Sequence, residues 1–371
     1  MNYVMLKDVC AIKMGQSPDS NSYNDTGEGV PFFQGNADFG ERYPVTRKWC
    51  SAPTKMATQD DILISVRAPI GAMNYAKEDC CIGRGLAALT PDKSKVSSEF
   101  IFWLLKGKNV ELNSKGTGST FKAIGRKVLE ETKVPKISLE KQKEFSEILE
   151  RIYGVIQARK EELQKLDELI KARFVELFDL SNCVYKSLGE CTDFVDYRGH
   201  TPELSDEGTI RMINAKSVGK GYFKYVNEFI TEKTYESWMH RGFGYPDDIL
   251  FVTEGHTFGN TCLIPKDMTK FALGQRVITI KGKKEIKNAF LCSYMQTDMF
   301  WKDINVYRTG GTAQGIRSKD LAKVMVPIPP IEQQKDFVKF VHQVDKSKVA
   351  VQKSLDEAQQ LFDSLMQEYF G

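Results

Sequence analysis

The sequence predicts an α+β chain: two mixed α/β domains, each followed by one long helix, built as an internal repeat. Three observations predict it. An apolar stripe runs through residues 138–178, the same stripe returns at the C-terminus, and a series of short blocks occurs twice in the intervening sequence.

The first stripe consists of Phe145, Leu149, Ile152, Ile156, Leu163, Leu166, Ile170 and Leu177, interrupted only by Arg159 and Arg173. No proline occurs between Pro135 and Pro202, and Gly154 is the one glycine inside the stripe. Steps of four and three put these side chains on one seam of a helix, the pattern of a coiled coil. At ~1.5 Å per residue the segment makes a rod of roughly 57 Å. Such a rod needs a partner to cover its seam.

The partner is in the same chain. At an offset of 192 the matching positions are Phe337, Val341, Val344, Val351, Leu355, Ala358, Phe362, Leu365 and Tyr369. Lys348 stands where the first copy has Ile156, so part of the seam is expected to be wet. The approaches also match. Val134-Pro135 precedes Glu140 and Phe145, and Val326-Pro327 precedes Glu332 and Phe337. Proline before a helix and glutamate in its first turn are start signals. Two like helices half a chain apart indicate duplication. The expected division is 1–137, 138–179, 180–330 and 331–371.

In the first domain, residues 29–34, 61–66 and 86–89 read as strands, with turns at Gly27, Gly35, Pro69-Ile70-Gly71 and Thr90-Pro91. Residues 97–105 read as a helix, buried through Phe100, Ile101, Trp103 and Leu104, and 113–120 as a polar loop. The second domain repeats this order. Gly15-Gln16-Ser17-Pro18 answers to Gly199-His200-Thr201-Pro202, and Asp60-Asp61-Ile62-Leu63 to Asp247-Asp248-Ile249-Leu250. Thr117-Gly118-Ser119-Thr120 answers to Thr309-Gly310-Gly311-Thr312, with Ile124 opposite Ile316. The offset drifts from 180 to 192 across the heads but is constant along the helices. The frame has been kept while the heads diverged.

With 371 residues and 41% hydrophobic content, the chain can bury two ordinary cores. No apolar run approaches the ~20 residues of a membrane span. Lys7 and Asp8 break any leader-like run at the N-terminus, so a cytoplasmic protein is expected. The eight cysteines include no Cys-x-x-Cys pair and read as reduced structural thiols, without a metal site or disulfide framework. A net charge of +3 permits nucleic-acid binding without requiring it.

Catalytic patterns are missing. The sequence has no phosphate loop of the Gly-x-x-x-x-Gly-Lys-Ser/Thr type, no Gly-x-Gly-x-x-Gly motif after a strand, and four scattered histidines. No catalytic residue or cofactor is therefore expected. The paired aspartates at 60–61 and 247–248 read as turn formers. What recurs is a set of polar, basic and glycine-bearing loops. In the first copy they carry Gln34, Asn36, Arg67, Arg84, Lys115, Thr117, Ser119 and Lys122. In the second they carry Asn214, Lys216, His256, Arg276, Arg308, Thr309, Thr312 and Gln314. Arg, Lys, Gln and Asn can read base edges, and Ser or Thr can hold phosphates, so these are the candidate DNA-binding residues.

This ordered set resembles the specificity subunits of type I restriction-modification enzymes. The resemblance rests on the two diverged domains with their helices, the Asp-Asp-Ile-Leu pair, and the Gly/Thr loops ending in Ile124 and Ile316. It also rests on the Val-Pro-x-x-x-x-Glu-x-Gln pattern that begins at Val134 and again at Val326. It implies two target recognition domains, each reading half of a split double-stranded DNA site. It implies antiparallel pairing of the helices, a pseudo-twofold axis, and docking surfaces for two modification (methyltransferase) subunits. Restriction subunits would join through the modification complex. Methyl transfer and cleavage belong to those partners in that family, so this chain is expected to be non-catalytic. The two loops differ at Phe121-Lys122 against Ala313-Gln314 and at Lys115 against Tyr307, so they need not meet DNA alike. A structural scaffold carrying two inert domains is the alternative reading, and it leaves the divergence of the heads unexplained.

Overall fold

The computed structural model describes residues 2–118, 122–197, 201–310 and 314–371. It divides into two compact units, Met1–Lys160 with Lys353–Gly371, and Glu161–Gln352.

In the first unit a short ribbon pairs Tyr3–Met5 antiparallel with Lys133–Pro135, Val4 opposite Val134. This ties the start of the head to the residues that lead into the long helix. A four-stranded antiparallel sheet follows the order Cys10–Met14, Leu86–Pro91, Ile62–Ser65, Met73–Tyr75. A second sheet has five strands, in the order Tyr23–Asn24, Trp49–Cys50, Val30–Phe33, Cys80–Ile82, Met56–Ala57. Its one parallel pair sets Phe32 opposite Cys81. Ile62, Leu63 and Ile64 are fully buried, as a run of apolar residues in a sheet covered on both faces requires. The helix Ser98–Gly107 starts at Ser97, whose hydroxyl accepts from the Phe100 amide, and it buries Phe100, Ile101, Trp103 and Leu104.

The first long helix spans Leu139–Leu177 and the second Ile331–Phe370. In the first unit Leu149 and Ile156 join a core that also holds Phe362, Met366 and Phe370, and Phe145 stacks on Tyr369 at 3.8 Å.

The second unit repeats the plan. Val184–Ser187 pairs with Met325–Ile328. A four-stranded sheet follows the order Thr192–Asp196, Val277–Gly282, Ile249–Val252, Thr261–Leu263. Its other sheet has three strands, Phe229–Ile230, Ile210–Ile213 and Phe271–Leu273, again with one parallel pair. Phe174, Phe178 and Phe337 are buried together, Phe174 and Phe337 in an edge-to-face pair at 5.5 Å. Here the helix Glu232–Trp238 occupies a stretch of the chain that has no counterpart helix among the described residues of the first head.

Two local patterns explain why the sequence blocks recur. Asp60 and Asp247 take positive φ values of 69° and 67°, a conformation in which a short polar side chain is tolerated. The following aspartates are buried and accept hydrogen bonds. Asp61 takes them from Thr58 and Thr90, and Asp248 from the Tyr245 amide and Asn288. The turn-forming reading of these pairs is what the structure contains. The second pattern is the glutamine that ends each Val-Pro block. Gln142 accepts from the Ser97 amide and donates to the Lys95 and Ile137 carbonyls. Gln334 accepts from the Lys287 amide and donates to the Glu285 and Pro329 carbonyls. Each staples the first turns of a long helix to the loop before a head helix.

Several sequence expectations need adjusting. The strand expected at 86–89 runs on to Pro91, because Pro91 closes the pairing opposite Cys10, at a strand end where a missing N–H is tolerated. The polar stretch 113–120 begins inside the helix Asn109–Ser114. Ser119, Thr120 and Phe121, Arg198 to His200, and Gly311 to Ala313 lie outside the described residues. Along the seam, Leu163, Leu166, Ile170 and Leu177 are only half-buried. Phe174, Phe178, Met366 and Phe370 are buried although the stripe omitted them. Phe174 and Phe178 pack against Phe290 of the second head, and Met366 and Phe370 against the helix Ser98–Gly107 of the first, contacts that seam periodicity does not encode. Lys348 is held 2.5 Å from Asp167 and 3.8 Å from Asp345. Burial pushes the Asp345 carboxyl above its usual range, with Lys348 opposing the shift.

Candidate nucleic-acid interface

In the first unit the expected residues gather at one end of the four-stranded sheet. The strand Ile62–Ser65 runs out into Val66 and Arg67. The Val66 amide donates to the Gly85 carbonyl at 2.9 Å, and the Ile124 amide to the Val66 carbonyl at 2.9 Å. The Ala68 amide donates to the Lys122 carbonyl at 3.0 Å, while Ala123 pairs with both Arg67 and Thr117. Gln34 arrives from the other sheet. A Cβ on Gly85 would lie 2.2 Å from the Gln34 carbonyl oxygen, so only glycine permits this approach. Gln34, Arg67, Arg84, Thr117 and Lys122 thus share one rim, and all are exposed.

Asn36 opens the short turn Asn36–Asp38, and the Asp38 carboxylate accepts from the Gln34 amide at 2.7 Å. Lys115 follows the helix Asn109–Ser114 and is held in an ion pair with Glu111, one turn back in that helix, at 2.6 Å. Ser119 falls outside the described residues.

The second unit builds the same rim from different side chains. The Thr253 amide donates to the Arg276 carbonyl, the Ile316 amide to Thr253, and the Gly255 amide to Gln314, at 2.9 to 3.0 Å. Gly315 pairs with Glu254 and Thr309. Arg276, Arg308, Thr309 and Gln314 are therefore neighbours, with exposed His256 in the adjoining loop. Asn214 and Lys216 lie on the turn after Ile210–Ile213, and both bind Glu228. The Lys216 hydrogen bond, followed by that of Asn214, holds the Glu228 carboxyl below its usual range despite some desolvation. Thr312 falls outside the described residues.

Two features of these loops were missed in the sequence. Glu254 pairs with Arg276 at 3.0 Å and occupies the place of Arg67. Counting on seven residues from each Asp-Asp-Ile-Leu block finds both. Two hairpin tips also recur. Phe39 pairs with Pro44 and Val218 with Phe223, leaving Tyr43 and Tyr222 exposed. The signal was Gly-x-x-Tyr at residues 40–43 and 219–222.

Chemically, each rim offers guanidinium, ammonium, amide and hydroxyl groups on short loops held by backbone pairing. Such a set can bind phosphates and base edges. Among the described residues, no group of three or more His, Cys, Asp and Glu side chains is arranged to hold a metal ion. Nor is any helix among them long and apolar enough to cross a membrane.

Residues 1–168 and 186–359 match the type I restriction modification DNA specificity domain. Among similar proteins, one from Methanocaldococcus jannaschii named "Putative type I restriction enzyme MjaX specificity subunit" is 44% identical over 160 residues. That match spans 43% of this chain and 38% of the relative's length. The type I restriction enzyme MjaIX specificity subunit of the same organism is 21% identical, over 97% of this chain and 90% of its own. A crystal structure of the type I restriction-modification system S subunit from M. genitalium matches with a TM-score of 0.61 at 16% identity. It covers 100% of this chain and 96% of that one, a likeness of fold.

Proposed function

Because the chain belongs to the type I restriction modification DNA specificity family, whose task is target recognition and not catalysis, we propose that it reads a two-part double-stranded DNA site. Residues 1–137 and 180–330 are the recognition domains, one per half-site. Residues 138–179 and 331–371 are the spacer helices. One observation carries this reading: in both units the polar loops gather at the same end of a four-stranded sheet of the same order. A scaffold would have no use for two like rims bearing unlike side chains.

The helices pair antiparallel as one coiled coil and give the chain a pseudo-twofold internal repeat. Support comes from within each unit, where Phe145 near the start of the first helix meets Tyr369 near the end of the second, and Phe174 meets Phe337. The outer faces of the helices dock two modification subunits in the cytoplasm, and restriction subunits join through them. With a net charge of only +3 the chain alone neutralises few phosphates, so it binds DNA weakly until those subunits close around the duplex.

The test is an exchange of residues 180–330 for the equivalent domain of a relative, followed by methylation mapping of DNA from cells carrying the intact system. One half of the target should change while the other stays. A swap that alters both halves together overturns the one-domain, one-half-site reading.

A further inference from the structure

At the rim of the second unit, two arginines are each held by an acceptor. Arg276 Nε donates to Glu254 Oε1 at 3.0 Å, and Arg308 Nη1 donates to Gln314 Oε1 at 3.1 Å. The pairs are neighbours, since the Gly255 amide donates to the Gln314 carbonyl at 3.0 Å. Arg276 Nη1 lies 4.0 Å from where a Cβ on Gly255 would stand, so the guanidinium lies across the loop backbone. In the first unit the corresponding positions hold Arg67 and Gly85, because the Val66-to-Gly85 hydrogen bond repeats Thr253-to-Arg276. A carboxylate with its guanidinium has taken the place of a single cation.

Stability does not account for the pair. Its side chains are 54% and 56% exposed, and exposed ion pairs contribute little to folding. Phosphate binding does not account for it either. A carboxylate facing the DNA backbone is repelled, and an arginine needs no orienting partner to neutralise a phosphate. Base reading does account for it. Arginine recognises guanine by donating two parallel hydrogen bonds to O6 and N7, and that geometry demands a fixed guanidinium. Arg276 is held through Nε, which leaves its two terminal amino groups as an end-on fork. Arg308 is held through Nη1, which leaves Nε and Nη2 as a side-on fork. Orienting a side chain before contact lowers the entropy lost on binding.

We infer that Arg276 reads a guanine in the half-site of the second unit, with Glu254 as the positioning residue that presents it and Arg308, held by Gln314, presenting a second fork beside it. This rests on the DNA-reading assignment above and goes further by naming the base and the orienting carboxylate.

The experiment uses the full chain with its modification subunits. The bipartite site is first mapped by methylation. Each guanine of the second half-site is then replaced in turn by 7-deazaguanine, which lacks the N7 acceptor. At one position wild-type affinity should fall by roughly threefold to tenfold, because O6 stays and one of the two hydrogen bonds of the bidentate contact is lost. Arg276→Ala, which gives up both hydrogen bonds, should lose at least as much on the unmodified site and nothing further when that guanine is replaced. Its salt dependence should stay that of the wild type. Glu254→Ala should lose part of the discrimination at the same position, while Glu254→Gln, which keeps an acceptor for Nε, should retain it.

Uniform weakening of Arg276→Ala on all sequences, with the salt slope reduced by about one, would mark a phosphate contact and overturn the inference. So would a half-site in which no guanine responds. An unaffected Glu254→Ala removes the positioning role. A complex that methylates no fixed sequence sinks the underlying reading itself, so the two failures are distinguishable.

Discussion

The two units share a frame and differ at the rim. Each closes its head with a two-stranded ribbon, carries a four-stranded sheet of one order, and staples a long helix through a buried glutamine. Around that frame, the first head extends its second sheet to five strands, and the second has three strands and the helix Glu232–Trp238. At the loop end, Arg67 faces Glu254 across the comparison, and Gly85 faces Arg276. Buried positions repeat because a core penalises a change of shape or an unpaired polar group. Exposed loop positions carry no such penalty and are free to encode different targets.

The sharpest way to break the comparison is to damage one frame and watch the other. Phe337 is fully buried against Phe174 and Phe178. Phe337→Ala should cost about 3–5 kcal/mol. Hydrogen exchange should show the loss in the second unit while amides of the first sheet, such as Leu63, keep their protection. Equal loss in both units would show that they fold as one.

The staples should behave alike in both copies. Gln142→Leu leaves the Ser97 amide and two carbonyls without their partner, and Gln334→Leu does the same at Lys287. Each should lower stability by about 2–3 kcal/mol in chemical denaturation. Faster exchange of the Ser97 or Lys287 amide would report the site. A large effect in one copy and none in the other would end the equivalence.

Lys106 is where the copies should part. Its ammonium lies 3.8 Å from the Tyr153 ring centre and 5.1 Å from that of Trp103, and the second unit has Gln296 at the matching position. Burial, reinforced by Lys160 and opposed by Glu150, lowers the Lys106 pKa to about 8. The folded state therefore disfavours the charged form. Stability from this group is missing below pH 8 and is gained as pH rises through 8 towards the ordinary value of 10.5. The aromatic faces attract the cation and offset part of the penalty. Lys106→Met should flatten the pH dependence of melting between pH 8 and 10, by about 1–2 kcal/mol. An unchanged slope would mean that the cage holds the cation without a penalty.

The smallest effect concerns the ion pair of Arg42 with Glu150, which ties a hairpin of the first head to the long helix. Both side chains are 45% exposed, so Arg42→Ala should cost less than about 1 kcal/mol, and still less in high salt. A loss above 2 kcal/mol would show that the hairpin is a structural strut of the first head.

Much of the frame was legible in the sequence. The long helices could be read because their seam depends on neighbours three and four residues apart. The Asp-Asp-Ile-Leu blocks could be read because a turn and the strand after it are local events. The same logic explains the omissions. Phe174, Met366 and Phe370 are buried by the heads beside them, and helical period is silent about a surface supplied from elsewhere in the chain. The rim residues are likewise legible in the sequence only as a set. Nothing in the order of residues joins Arg276 to Glu254, because that contact crosses 22 residues and exists only once neighbouring strands have paired. Local chemistry thus determined the helices, the turns and the repeat. Tertiary structure decided which side chains meet, because hydrogen bonds between distant strands bring together charges that the order of residues keeps apart.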